Sequence, residues 1–137
     1  MRKMKLTLTP EAIEKLQTKM QAGDYILLDY EDATGPFVDS AASCQLYSSF
    51  RFLFVPGDFD QEKLAVYDHV HETPLGKVYM KSRSEMLLDN EVRVVVEPVY
   101  HALQLRSDSG ILADNIEVRR INPADYEGKT NTTSGTC

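Results

Sequence analysis

The apolar residues of this chain change their period near residue 24, and that change restricts the fold more than any other feature. Before it, Ala12, Ile13, Leu16 and Met20 recur at three- and four-residue spacing, which gathers side chains on one helical face. Thr9 offers an N-cap oxygen, Pro10 suits a first helical turn, and Glu11 and Glu14 lie toward the positive end of the helix dipole. Gly23 is placed to stop the helix, so the spacing predicts one over 10–21.

After residue 24 the pattern turns to alternation and to short runs of aromatic and β-branched residues. It predicts strands near 25–28, 50–55, 64–67, 76–80, 91–97, 102–105 and 116–121. Asp32-Ala33-Thr34-Gly35-Pro36 and Pro56-Gly57-Asp58 read as turns, residues 40–43 as a loop over a site, and 84–89 as one helical turn. Pro98 ends its strand or marks a bulge. No repeat of 20 to 50 residues interrupts this order. The fold expected is mainly β of the α+β class, antiparallel or mixed, with one N-terminal helix and a short second helical turn.

A chain of 137 residues with 42% hydrophobic residues can bury a core without disulfide staples. One domain is expected over 1–121. Residues 122–137 hold almost nothing apolar and read as a flexible polar tail. Fifteen Lys and Arg against twenty-one Asp and Glu give a net charge of -6, the wrong sign for covering phosphates, so nucleic acid is not an expected partner. No apolar run is long enough to span a bilayer and the N-terminus has no signal-peptide core, so no membrane contact is expected and the reading is cytoplasmic.

Common catalytic signatures are missing: there is no phosphate-binding glycine loop, no Gly-x-Ser-x-Gly and no Cys-x-x-Cys. His69 and His71, two apart on a strand, would put both rings on one face and offer two imidazoles to a metal; two solvated histidines fit the same spacing. His101 is the third histidine. Asp58, Asp60 and Glu62 resemble the start of a calcium loop but lack its glycine and distal glutamate, so they read as a turn. Acid-base pairs could be drawn from Asp29, Glu31, Asp32 and Asp39, as in any acidic chain. Two cysteines, Cys44 and the terminal Cys137, read as free thiols; Cys44 follows a run of small residues and suits either a thiolate at a loop edge or a buried core thiol.

The run Leu6-Thr7-Leu8-Thr9-Pro10-Glu11-Ala12 with Leu16 resembles the opening strand and first helix of the HesB/IscA-type iron-sulfur cluster biosynthesis family. Residues 25–29, leading into Ala33-Thr34-Gly35-Pro36, are similar to its first core strand and glycine-containing loop. Lys77-Val78-Tyr79-Met80, 82–88, 92–96 and Leu103-Gln104-Leu105 follow the family's later order, and residues 103–112 most resemble a divergent bacterial branch. The resemblance covers about 4–121 and implies a HesB-like mixed or antiparallel β sandwich. In the family a cysteine follows the loop glycine and a Cys-x-Cys pair comes later; here Pro36 holds the first place and residues 107–115 contain no cysteine.

What the resemblance implies is a non-enzymatic carrier or scaffold that binds iron or an iron-sulfur cluster transiently; none of the family's ligands carries over residue by residue, so the candidate metal ligands are this chain's own Cys44 and Cys137, with Gly35, Pro36 and Ser43 in the binding loop. Its partners would be iron-sulfur assembly or recipient proteins, and a homo-oligomer would bring more thiolates together. A metal-free protein-interaction module on the same scaffold is the alternative. A small hydrolase or isomerase would instead require the three histidines to converge with an acid.

Overall fold

A computed structural model describes residues 4–30, 36–37 and 50–126. Thr9 caps the first helix, its hydroxyl accepting from the Ala12 N–H at 3.3 Å, and Pro10 takes the first helical position. The helix α1 (Pro10–Gln17) is shorter than its apolar spacing predicts. The Thr18 hydroxyl donates to the Lys15 carbonyl, and the N–H groups of Lys19 and Met20 reach carbonyls three residues back, which tightens the last turn before Gly23 is reached. Gly23 adopts φ +82, and a Cβ on Gly57 would lie 2.7 Å from the Gly23 carbonyl oxygen, so both positions need glycine.

Two sheets carry the rest. β1 (Lys5–Leu8), β6 (Glu91–Val96), β7 (Leu103–Ser107) and β8 (Gly110–Ala113) form one, in the order β1-β6-β7-β8. β4 (His69–Thr73), β5 (Gly76–Met80), β2 (Tyr25–Tyr30), β3 (Phe50–Val55) and β9 (Glu117–Arg120) form the other, in that order. Both are mixed, because β1 runs parallel to β6, β2 to β5 and β3 to β9. The expected mainly β sandwich is therefore what the chain forms.

Alternation assigns the faces. Ile26, Leu28, Phe52, Phe54, Val78 and Met80 point toward Leu6, Leu8, Val92, Val94, Leu103 and Leu105 of the four-stranded sheet, and Ala12 and Leu16 of α1 join this core. The opposite face of the five-stranded sheet is also covered: Leu27, Leu53 and Val55 pack with Phe37, Phe59, Leu64, Tyr67 and Ile121. Burial on both faces explains why β3 reads as an apolar run interrupted only by Arg51. Fully burying a phenylalanine such as Phe52 contributes about 1.5–3 kcal/mol.

Three further sequence expectations shift. The segment expected as a strand at 64–67 follows a single helical turn, α2 (Gln61–Leu64), because the Asp60 carboxylate accepts from the Glu62 N–H at 2.9 Å and starts a turn that buries Leu64. The second helical turn, α3 (Ser82–Glu85), begins two residues early because Asp68, fourteen positions back, accepts from the N–H and hydroxyl of Ser82 at 2.9 and 3.0 Å. Burial pushes the Asp68 carboxyl up, but those donations outweigh it and hold it below its ordinary range. Finally, β8 forms within residues where no strand was expected.

Candidate functional site

Strand direction collects the polar groups at one end of the five-stranded sheet. β2 and the parallel β5 finish there, while β3 and β4 begin there. Asp29 and Arg51 are cross-strand partners in the β2–β3 register, on the face that carries Leu27 and Leu53. Asp29 Oδ2 accepts from Arg51 Nε at 2.9 Å, and Oδ1 accepts from the Tyr67 hydroxyl at 2.8 Å and faces Lys81 Nζ at 3.2 Å. Asp29, Arg51 and Lys81 are each no more than 3% exposed.

Buried charges of this kind persist only when paired, since an isolated ion away from water is strongly disfavoured. The cluster also reaches the main chain. Arg51 Nη2 donates to the Phe37 carbonyl at 2.7 Å, Lys81 Nζ donates to the Tyr30 carbonyl at 2.8 Å, and Lys81 lies 5.9 Å from the Tyr67 ring centre. It thereby fixes the last residue of β2 and the described residue Phe37, whose ring packs 5.3 Å from Phe59. The group sequence reasoning offered as one half of an acid-base pair is instead the hub of an ion cluster. Glu31, Asp32 and Asp39 lie outside the described residues.

His69 and His71 share a face of the edge strand β4, opposite Met80 and Val78 in register, as their two-residue spacing requires. They are not simply solvated. Glu85 of α3 lies between them, with Oε2 2.7 Å from His69 Nδ1 and Oε1 3.1 Å from His71 Nε2. Both carboxylate oxygens are thus engaged by rings, and the carboxylate ties α3 to the strand. Among the described residues, no group of three or more His, Cys, Asp or Glu side chains is arranged to hold a metal ion.

His101 sits in the connection between β6 and β7 of the other sheet, with φ 59, so the three histidines are not brought together. Pro36 is buried beside Phe37. Cys44, Cys137, Gly35 and Ser43 lie outside the described residues. Phe37 covers the outer face of the five-stranded sheet, whereas the β7–β8 hairpin belongs to the four-stranded sheet across the main core. The donors described are nitrogen and oxygen, while clusters are held by thiolates.

Sequence reasoning missed Arg51, Tyr67, Lys81 and Glu85. A signal existed for Arg51 alone: a charged residue inside the apolar run Phe50-Arg51-Phe52-Leu53-Phe54-Val55 demands a buried partner.

The profile of a family described as Iron-sulphur cluster biosynthesis matches residues 4–120. The chain is similar to a candidate Fe-S biosynthesis protein from Lactobacillus salivarius, whose crystal structure was described as a novel fold. Identity is 31%, coverage is 86% of this chain and 100% of that one, and the TM-score is 0.66. A second candidate Fe-S biosynthesis protein, from Lactobacillus acidophilus, shares the fold at 16% identity, with 90% of this chain and 93% of that one covered and a TM-score of 0.60. No curated protein matches the chain. No helix among the described residues is long and apolar enough to cross a membrane.

Proposed function

Since the chain belongs to the iron-sulfur cluster biosynthesis family and has a general role in cluster assembly, we propose that it acts there as a carrier or scaffold, holding iron or a cluster as transient cargo. The observation that carries this reading is the match over 4–120, with the same fold in a 31% identical protein. In this reading the protein breaks no bond of a substrate; it holds cargo and passes it on. Cys44 is the leading ligand, in the loop that contains Gly35, Pro36 and Ser43. A cluster takes about four soft ligands and each chain has two cysteines, so Cys44 and Cys137 of two chains would complete a set. Cytoplasmic assembly or recipient proteins are the partners, and residues 1–121 are the working domain.

The second reading is a module that keeps the scaffold and acts through protein contacts without metal. It is favoured by Pro36 at the first ligand place of the family and by the lack of any cysteine in residues 107–115, where the family's pair is expected. Anaerobic reconstitution with iron and sulfide of the wild type and of Cys44→Ser decides between them. Stoichiometric iron with thiolate charge-transfer bands, lost in the variant, supports the carrier. A colourless, iron-free wild type refutes the carrier and leaves the module.

A further inference from the structure

The outer face of the four-stranded sheet holds a charge conflict that the fold does not require. Register sets Thr7, Arg93, Arg106 and Ile111 in one row across β1, β6, β7 and β8. Their neighbours Leu6, Leu8, Val92, Val94 and Leu105 turn into the core, so by alternation this row faces away from it. Arg93 and Arg106 are direct cross-strand partners, an arrangement that brings Cβ atoms to about 5 Å and disfavours like charges. It occurs in a chain of net charge -6, and local conflicts in an otherwise consistent fold collect at functional sites.

No other charge on this face resolves the conflict. Arg93 Nη1 lies 3.6 Å from Asp108 Oδ1, but those side chains are 45% and 95% exposed, so the contact is a weak surface pair. Glu91, two residues before Arg93 on the same face, lies opposite Lys5 of β1 and forms an ion pair with neither arginine. Asp114 accepts from the Gln104 amide at 2.9 Å. Arg106 is exposed, and among the described residues its guanidinium meets no carboxylate and no carbonyl. An arginine set against another arginine, with no acid from its own chain, keeps its planar fork of donors open to an acid from elsewhere.

We infer that the Arg93–Arg106 pair is a docking site for a carboxylate on a separate protein, with Ile111, 50% exposed at the end of the row, making the apolar contact beside it. The charge pattern selects this occupant. Nucleic acid would bring its phosphates against Glu91 and Asp108 as well. A free small anion would stay in water on so open a face and gain little, whereas a protein closing over the pair excludes that water. A second copy meeting this face about a two-fold axis would set arginines against arginines. The inference does not depend on whether the protein carries iron.

The test begins in cells, with a photo-crosslinking residue in place of Ile111 in the full chain. The captured protein is then purified and titrated against the wild type and three variants. Arg106→Gln is expected to lose at least about tenfold in affinity, Arg93→Gln less because Asp108 already shares its charge, and Lys5→Gln, on the same face, nothing. The thermal midpoint of Arg106→Gln should equal or exceed that of the wild type, since the substitution relieves a like-charge contact. The inference is overturned if no adduct forms, if the adduct is a second copy of the chain or maps to a surface without Asp or Glu, if Arg106→Gln binds as the wild type does, or if Lys5→Gln loses as much. A lower midpoint for Arg106→Gln also overturns it, because that arginine would then serve the fold itself.

Discussion

Replacing Asp29 by Asn tests the ion cluster at the end of the five-stranded sheet. The substitution keeps the size of the side chain and an oxygen for the Tyr67 hydroxyl, but removes the charge that faces Arg51 at 2.9 Å and Lys81 at 3.2 Å. Both cations stay buried, at 3% and 1% exposure, so neither regains water without moving the strands that carry it. Breaking one side of a buried pair costs about 3–5 kcal/mol. For a domain of this size that lowers the thermal midpoint by roughly 10–15 °C. Urea unfolding followed by circular dichroism reads the change as a shift of midpoint at constant slope, which separates lost stability from a changed native state. A loss under about 1 kcal/mol, the range of surface ion pairs, would refute the reasoning, because it would mean that water reaches the cluster.

Two further predictions concern single pairs. Glu85→Ala is expected to cost about 1–3 kcal/mol by leaving two histidine rings without their shared acceptor, and hydrogen exchange should rise in β4 before it rises in β3; unchanged exchange in β4 would show that the carboxylate does not hold that edge. Burial pushes the Asp24 carboxyl up, but donations from both Arg120 nitrogens at 2.7 and 2.8 Å and from the Gln21 N–H outweigh it and hold it below the ordinary carboxylate range. Its contribution to stability is therefore full above the unfolded carboxylate value and is lost as pH falls through the lower folded value. Carboxyl NMR should place the Asp24 titration lower in the wild type than in Arg120→Ala, and equal titrations would count against the pair.

The parts of the molecule legible in the sequence are those written in neighbouring residues. Thr9-Pro10 and the spacing of Ala12 and Leu16 give α1, and aromatic, β-branched runs give β2, β3 and β6. The misreading at 64–67 has a local cause, since Leu64 and Tyr67 are apolar in either conformation and the start of the turn depends on the Asp60 carboxylate. The site was far less legible because its contacts are set by register. Asp29 meets Arg51 across β2 and β3, and Lys81 comes in from the residue after β5; nothing in the spacing of these residues announces that they meet. His69 and His71 were readable as a pair, but Glu85 reaches them from a helical turn that follows another strand.

Every parallel pairing in the two sheets joins distant parts of the chain: Lys5 lies beside Glu91, Ile26 beside Val78 and Arg51 beside Glu117. A nascent chain leaving the ribosome can close the β4–β5 hairpin early, but its first strand waits for β6, and β3 waits for β9. Neither sheet is complete until its last strand, β8 or β9, is available to pair, so folding of this domain depends on long-range contacts and is slow for its size. During that interval the first strand, with Leu6 and Leu8 still uncovered, is the segment most in need of protection from other chains.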